Sequence, residues 1–335
     1  MTGRLRYVDD SLPGISRRRH GRYWQYFDAQ GKRVSDRDEI DRLNGIGLPP
    51  AYRDAWLCPD PNGHIQAIGY DDKGRKQYRY HPDFRERREA AKYERCREFG
   101  EVLPKLRRRV ETDLRKRKLT RDTVVAAVVR LLDSGRIRVG NEAYAEANKS
   151  YGATTLRDRH ARVRGRTVKM RFKAKSGIER EFSITDATLS RIVKRCQDLP
   201  GQNLFQYLDE DGEPHPVTST DVNDYIRAAT GEDFTAKHFR TWSASVIAFE
   251  QICAAGDEGV GLKSMLEPVA EALGNTPAIS RKSYVHPRIV EAVKSGPGKR
   301  LALHCPRSTK YLSSAERGLI AFLGRNKGRK RKAAE

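Results

Sequence analysis

The residue pattern of this chain changes near residue 84, and that change restricts the folds that the chain can adopt. Between 23 and 80, short runs of alternating polar and apolar residues are separated by glycine-containing turns, one of them at 71–74. Such runs predict short antiparallel strands, with a hairpin over 64–80. From there on the sequence is dense in arginine, lysine and glutamate, and it predicts helix.

An α+β protein of two domains is therefore expected. Residues 1–86 would form an N-terminal domain around a small antiparallel β-sheet, and its first part, 1–20, would be a basic arm that orders only on a partner. Residues 87–335 would form a larger, mainly helical domain that ends in a basic tail at 325–332. With 335 residues and a hydrophobic content of 37%, the chain is long enough for two cores.

Two elements of the second domain are clearly indicated. Residues 120–133 are an apolar run that starts with Thr120 as a capping residue, which predicts a buried helix. Residues 167–184 predict a β-hairpin with 173–177 as its loop. In the helical stretch that precedes them, Pro104 predicts a break, because proline removes a backbone donor and clashes with the preceding turn.

The charge of the chain points to its partner. Lysine and arginine together number 66 against 44 aspartate and glutamate, which gives a net charge of +22. The excess is spread along the chain rather than confined to one end. Such a balance favours a polyanionic partner, most simply nucleic acid. A surface that serves only solubility is the alternative, but it does not explain so one-sided a charge.

Several classes of protein have no support in the sequence. The 5 cysteines are widely separated, so we expect a reduced, intracellular chain without structural zinc or a disulfide framework. No apolar run reaches about 18 residues and the first residues are polar, so neither a membrane span nor a secretion signal is expected. No glycine-rich phosphate loop is present, and we expect no metal and no other cofactor. The expected location is the cytoplasm, at the nucleoid if the chain is bacterial.

One stretch near the end of the second domain could carry chemistry. Gly274 ends a helix, and Ser280 is predicted to be the N-cap of a new short helix that carries Arg281, Lys282 and Tyr284. The two cations would favour the phenolate of the tyrosine and hold a phosphate. Such a phenolate could attack a phosphodiester. The alternative is a tyrosine that simply packs at the start of a helix.

Further cations lie at the ends of predicted elements, where phosphate-binding groups are often found. Arg138 follows the buried helix, Lys175 lies at the tip of the hairpin, and Lys237 and Arg240 share one face at the start of a helix. An arginine can hold two phosphate oxygens in a rigid fork, and a lysine can give up a proton. Each of these residues taken singly could equally be a solvated surface cation.

Together these stretches resemble the type IB DNA topoisomerases, specifically the small poxvirus-like group also found in bacteria. The matching stretches occur in the family's order from about residue 23 onward, namely 76–80, 138–141 with Tyr144, Lys175, 237–241 and 274–284. The resemblance implies a mainly α-helical catalytic domain of the kind that these enzymes share with tyrosine recombinases, with a β-hairpin in it.

The resemblance also implies a role for each candidate. Tyr284 would be the nucleophile that forms a 3′-phosphotyrosyl link to DNA and releases a 5′-hydroxyl. Arg138 and Arg240 would neutralise charge in the transition state, and Lys175 and Lys237 would supply the proton to the leaving oxygen. Reversal of the attack would reseal the strand. Supercoiled DNA would thus be relaxed without ATP or a metal.

The sequence departs from the family's pattern at two places. Asn275 stands where the family usually has a histidine; we expect it to remain a phosphate contact, but a weaker one, because an amide can donate and cannot be protonated. The family's basic positions after Arg138 are Asn141 and Ala143 here, so the cleavage-site preference of the poxvirus enzymes is not expected.

The resemblance assigns DNA contacts as well. Gln77, Tyr78 and Tyr80 match the strand that contacts the DNA groove in the family's N-terminal domain, and Tyr144 would contact DNA from the catalytic domain. Because side chains alternate along a strand, the two strand tyrosines are predicted to share one face. The alternative is that both belong to the core of the sheet. We expect a monomer clamped around double-stranded DNA.

Two other functions remain to be compared. A tyrosine recombinase or integrase would share the catalytic fold, but it typically has histidine at the position of Lys237 and lacks the strand-rich N-terminal domain. A non-catalytic, basic DNA-binding protein would explain the charge, but not the ordered set of cations that accompanies Tyr284.

Overall fold

The computed structural model describes residues 4–72, 74–295 and 305–324. The chain divides into two compact units, Met1–Lys92 and Tyr93–Glu335, each with its own hydrophobic core. The predicted basic tail at 325–332 lies outside the described residues. Among the helices of the described ranges, none combines the length and the apolar composition that crossing a membrane would require.

The first unit is built from short strands around one helix. Its elements are β1 Ser16–His20, β2 Tyr23–Phe27, α1 Arg37–Gly45, β3 Arg53–Leu57, β4 Ile65–Tyr70 and β5 Lys76–Tyr80. Strands β1 and β2 form an antiparallel pair, and β3, β4 and β5 form an antiparallel sheet in that order. The core contains Tyr26, Leu43 and Leu57. The predicted hairpin over 64–80 is confirmed as β4 and β5.

The prediction that residues 1–20 form an arm ordered only by a partner was wrong for its last part. Residues 16–20 are strand β1, whose backbone pairs with β2. Arg17 of this strand lies over the ring of Trp24 at 4.0 Å and donates to the carbonyls of Leu48 and Pro49. Burial lowers the pKa of its guanidinium. The charge density suggested disorder, but a cation–π contact and backbone acceptors give Arg17 a structural role.

The second unit is mainly helical. Its elements are α2 Pro82–Leu114 (which begins in the first unit), α3 Arg121–Gly135, α4 Glu142–Asn148, β6 Ala161–Arg164, β7 Thr167–Lys173, β8 Glu179–Thr185, α5 Ala187–Gln197, β9 Gln206–Leu208, β10 Pro214–Pro216, α6 Ser219–Thr230, α7 Ala236–Ala255, α8 Leu262–Leu273, α9 Pro277–Ser283, α10 Pro287–Lys294 and α11 Ser314–Gly324. Strands β6, β7 and β8 form one small antiparallel sheet. The expected α+β fold and the β-hairpin are thereby confirmed.

Helix α3 lies at the centre of the second unit. The hydroxyl of Thr120 caps it by accepting the N–H of Thr123, as the sequence predicted. Val124, Val128 and Leu132 are fully buried, and the helix packs against α5, α6 and α7. Because α3 is so closely packed, the position of its carboxyl end is fixed. The segment that follows the helix therefore starts from a defined place in the unit.

The predicted break at Pro104 does not occur, and α2 is continuous from Pro82 to Leu114. An interior proline costs a helix about 3 kcal/mol. Phe99, Leu103 and Leu106 lie around the proline, and each is fully buried. Burying such a side chain contributes roughly 1.5–3 kcal/mol, so the packing of one helix face offsets the local cost.

A largely buried ion network joins four helices of this unit. The guanidinium of Arg107 on α2 donates to the carboxylates of Asp133 on α3, at 2.7 Å, and Glu316 on α11, at 2.8 Å. Glu316 also accepts the indole N–H of Trp242 on α7 at 3.0 Å. Although burial raises the pKa of Glu316, its hydrogen bond and charge interaction with Arg107 outweigh this and hold the pKa below its ordinary value.

Arg107→Met should lower the free energy of unfolding by about 3–5 kcal/mol, because two largely buried carboxylates lose their counter-charge. Arg115→Met, one residue beyond the end of the same helix, is the matched control. Its side chain is 71% exposed and pairs with Glu111, so a change of about 1 kcal/mol or less is expected. Urea unfolding followed by circular dichroism measures both variants. Equal losses would contradict a special role for the buried network.

Candidate active site

A cavity of about 500 Å³ opens in the second unit, where the ends of several helices meet the β7–β8 hairpin. Most of the predicted catalytic residues line it, namely Arg138, Lys175, Lys237, Arg240 and Tyr284, together with Tyr144. Asn275 lies beside it, bonded to Arg138. Residues separated by up to 146 positions in the sequence are thus brought to one place.

A close approach of two backbone segments fixes the position of Arg138. Helix α3 ends with Arg136 in the left-handed conformation, at φ 54°. Beyond it, a Cβ built on Gly152 would lie 2.5 Å from the backbone nitrogen of Gly140, so no larger residue fits at 152. The N–H of Ala153 donates to the carbonyl of Arg138 at 2.8 Å. The side chain of Arg138 therefore extends from a tightly packed backbone segment.

The two candidate lysines reach the cavity from different elements. Lys175 lies in the loop between β7 and β8, where Ser176 adopts a left-handed conformation at φ 68°. This loop is closed by the N–H of Ala174, which donates to the carbonyl of Ile178 at 2.8 Å. Lys237 lies in the first turn of α7. A short, closed loop and a helix start both hold their lysine close to a defined position.

Arg240, one turn further along α7, is only 4% exposed. Its Nη1 donates to the carbonyl of Arg136 at 2.5 Å, and its Nη2 donates to the carbonyl of Leu273 at 3.1 Å. Its guanidinium carbon lies 4.9 Å from the centre of the Tyr284 ring. Burial, and next the charge of Arg138, lower the pKa of Arg240 to about 10. At neutral pH it is still a cation.

The prediction of Ser280 as an N-cap was wrong. The N-cap of α9 is Thr276, whose hydroxyl accepts the N–H of Ile279, and Pro277 takes the first helical position. Proline suits that position because its fixed φ is helical and its missing N–H is not needed there. Ser280 is buried inside the helix, and Tyr284 is the residue that ends it. The tyrosine therefore lies at the carboxyl end of α9, not in its first turn.

The phenol of Tyr284 lies between two guanidinium groups. Its oxygen accepts a hydrogen bond from Nη2 of Arg138 at 3.5 Å, and Arg240 lies over its ring. Burial raises the pKa of the phenol, but the positive charges of Arg240 and Arg138 outweigh burial and hold the pKa below its ordinary value. A phenol with a lowered pKa is a better nucleophile at neutral pH because more of it is phenolate.

Asn275 is hydrogen-bonded to the guanidinium group of Arg138. Its Oδ1 accepts from Nη2 of Arg138 at 3.2 Å. Its Nδ2 is buried and has no hydrogen-bond partner among the residues that the structure describes. An amide that accepts from an arginine on one side keeps a donor on the other, and that donor is the group a phosphate oxygen needs.

Other predicted DNA contacts lie outside the cavity lining. Arg281 and Lys282 are exposed on the last turn of α9. Gln77, Tyr78 and Tyr80 lie on β5 of the first unit. The two tyrosine rings share one face and stack with their centres 5.8 Å apart, and Tyr78 is 40% exposed, so it is not a core residue.

One lining residue was not singled out from the sequence. Arg180 on β8 lines the cavity, and its guanidinium donates to the carbonyls of Glu271 and Ala272. A signal was available, because strand alternation places Arg180 on the same face as the apolar Phe182 and Ile184. A cation on the inward face of a strand needs a partner inside the protein.

Known protein families match residues 23–71 and 81–295 of the chain. The catalytic core of eukaryotic DNA topoisomerase I matches residues 81–295, and the N-terminal domain of bacterial DNA topoisomerase IB matches residues 23–71. Both matches agree with the resemblance that the ordered motifs indicated.

Individual relatives agree with these families. DNA topoisomerase 1B of Acanthamoeba polyphaga mimivirus is 32% identical over 300 residues, which cover 85% of this chain and 89% of that protein. DNA topoisomerase 1B of Vaccinia virus (strain Copenhagen) is 21% identical, over 68% of this chain and 72% of that protein.

Among solved structures, the chain resembles the XerH site-specific recombinase bound to its difH substrate. The TM-score is 0.37 and the identity 16%, over 57% of this chain and 52% of that one.

The titration of Tyr284 tests the electrostatics of the cavity. Arg138→Gln should raise the pKa of the Tyr284 phenol, because one of the two cations that counteract the effect of burial is then lost. Arg281→Gln, which removes an equal charge from an exposed neighbour, is the control and should leave that pKa unchanged. The measurement is the pH dependence of the ring-carbon NMR signal of labelled tyrosine, assigned with Tyr284→Phe. An unchanged pKa in Arg138→Gln would contradict the account.

Proposed function

The chain belongs to the type IB DNA topoisomerases, and on that premise we propose that Tyr284 cleaves one strand of duplex DNA and that the cations of the cavity assist it. The observation that carries the proposal is the phenol held between Arg138 and Arg240. This pair of cations serves the tyrosine twice, because it favours the phenolate and attracts the phosphate that the phenolate attacks.

The proposed reaction exchanges one phosphoester for another. The phenol oxygen of Tyr284 attacks phosphorus, the bond from phosphorus to the 5′-oxygen breaks, and a 3′-phosphotyrosyl bond forms. The phenol gives up its proton, and the departing 5′-oxygen takes one up to become a hydroxyl. While the 3′ end is held covalently, the other end can rotate and release supercoiling. Attack by the 5′-hydroxyl reverses every step, so no ATP is consumed.

Arg138 and Arg240 stabilise the charge that develops on the phosphoryl oxygens. Arg240 is held by the carbonyls of Arg136 and Leu273, so its guanidinium does not have to be reoriented during the reaction. Preorganised donors of this kind contribute most in a site that excludes water, and Arg240 is almost fully buried. Asn275, whose Oδ1 accepts from Arg138, adds the donor of its amide nitrogen.

Lys175 and Lys237 supply the proton to the leaving 5′-oxygen. An alkoxide is a poor leaving group, so protonation as the bond breaks lowers the barrier. Both lysines line the cavity that holds Tyr284, and they reach it from separate elements. Two ammonium groups near one phosphate also increase the attraction of the cavity for DNA.

DNA is the partner of this enzyme, and the net charge of +22 fits that partner. We propose further contacts to it from Tyr144, Arg281 and Lys282 in the catalytic domain, and from residues 77–80 in the N-terminal domain. The exposed, stacked pair of tyrosine rings on β5 supports the last of these. The two domains of the enzyme would be 1–86 and 87–335. It would act as a monomer clamped around the duplex, and it would be located with the DNA of the cell.

Relaxation of supercoiled plasmid tests the nucleophile. With EDTA present and ATP absent, the wild type should relax the plasmid and Tyr284→Phe should not, because its side chain has no oxygen to form the covalent link. Tyr207→Phe, the same change at a tyrosine of β9 that lies outside the cavity lining, is the control and should retain relaxation. Gel electrophoresis of the topoisomers measures the outcome. Relaxation by Tyr284→Phe would show that another residue is the nucleophile.

Substitution of Asn275 tests the phosphate contact. Asn275→His should leave the rate of strand cleavage equal to that of the wild type or higher, because imidazole also donates a hydrogen bond. Asn275→Ala, which removes the donor, should cleave roughly 10- to 100-fold more slowly, below the loss of about 10²–10³ seen for a well-placed oxyanion donor. Single-turnover formation of the covalent adduct measures both rates. A large loss in Asn275→His would count against this role.

A further inference from the structure

Two arginines bind the carboxyl end of α8. Arg180 donates from Nη1 to the carbonyl of Glu271 at 2.9 Å and from Nη2 to that of Ala272 at 2.8 Å. Arg240 donates to the next carbonyl, that of Leu273. The last carbonyls of a helix have no partners further along the helix, and cations are favoured there by the helix dipole. The arginines therefore satisfy successive carbonyls at the point where α8 leads into the nucleophile segment.

The stem of Arg180 also packs on that segment. A Cβ built on Gly274 would lie only 2.8 Å from Cδ of Arg180, so the arginine and the backbone of Gly274 are in close contact. Gly274 has φ +62°, the left-handed conformation that ends α8, and the N–H of Asn275 bonds back to the carbonyl of Ala270. The Arg180 side chain thus packs against the turn that leads into the loop of Asn275.

The other end of this connection is the hairpin. Arg180 lies opposite Phe172 in the register of β7 and β8, and Phe172 is buried in the core. Residues opposite each other in an antiparallel pair share one face of the sheet, so the core contact and the arginine anchor the hairpin on the same side. The closed loop that carries Lys175 begins two residues after Phe172.

We propose that Arg180 is a positioning residue for strand cleavage. It connects the hairpin that carries Lys175 to the end of α8, where the loop of Asn275 begins. It fixes the place of the proton donor relative to the nucleophile, because its guanidinium reaches from the hairpin strand β8 to two backbone carbonyls at the end of α8. The inference rests on the proposed function of Lys175 and Tyr284.

The test compares two leaving groups. Single-turnover cleavage is measured on a duplex that the wild type cleaves, and on the same duplex with sulfur in place of the 5′-bridging oxygen at the cleaved bond. A thiolate leaves readily without protonation, so the sulfur ester does not depend on the proton donor. The variants are Arg180→Gln and Arg180→Lys. The control is Arg171→Gln on the same hairpin, where the side chain is 68% exposed and pairs with Glu179.

Arg180→Gln should cleave the oxygen ester about 10- to 100-fold more slowly, because a displaced acid loses most of its contribution, and the sulfur ester less than about threefold more slowly. Arg180→Lys should lie between Arg180→Gln and the wild type on the oxygen ester, since an ammonium lacks the fork that binds both carbonyls. Arg171→Gln should match the wild type on both esters, and DNA affinity should change little in all variants.

Two results would overturn the inference while leaving the function intact. One is cleavage of the oxygen ester by Arg180→Gln as fast as by Arg171→Gln. The other is an equal loss on both esters, because the defect would then not pass through the proton donor. If thermal unfolding shows that Arg180→Gln does not fold, Arg180→Lys serves as the test variant. It must then cleave the oxygen ester more slowly than the wild type while the sulfur ester is little affected; otherwise the inference is wrong. If the wild type cleaved no duplex and relaxed no supercoiled plasmid, the proposed function itself would be refuted.

Discussion

The structure of the cavity depends on the burial of one guanidinium group. Arg240 is 4% exposed, and a charge so placed must be compensated inside the protein. The compensation comes from two carbonyl oxygens, one just beyond α3 and the other at the end of α8. The carboxyl end of a helix carries partial negative charge, and both of these helices end here. The buried arginine therefore joins the two helix ends, and the segments that leave them carry Arg138 and Asn275.

This arrangement brings several positive charges to one cavity. The charge of Arg138 lowers the pKa of Arg240, and Arg138 and Arg136 add to the effect of burial in lowering that of Arg180. Burial is the largest cause of both shifts, and repulsion between cations that the fold holds together adds to it. An arriving phosphate relieves this repulsion, so part of the attraction for DNA is stored in the free enzyme. The phenol of Tyr284 benefits from the same excess charge, since its ionised form provides a negative charge in the cavity.

Most of the site could be predicted from the sequence because its residues occur in ordered motifs at the ends of elements with clear signals. The capped apolar run of α3 and the alternation of β7 and β8 led to the correct elements for Arg138 and Lys175. The errors arose where two local rules competed. Ser280 and Thr276 are both good capping residues, and only the preference of Pro277 for the first helical position distinguishes them. At Pro104, tertiary packing outweighed the local cost of proline, which no local pattern shows.

The chemistry of position 275 follows from its neighbour Arg138. A side chain there must accept a hydrogen bond from a permanent cation and still have a donor for phosphate. An amide meets both requirements at any pH. A neutral imidazole also meets them, with one ring nitrogen for each, but an imidazolium has no acceptor and would face Arg138 as a like charge. Asn275 therefore keeps the hydrogen bond to Arg138 independent of protonation, and under the proposed mechanism the pH dependence of cleavage is left to the phenol and to the proton donors.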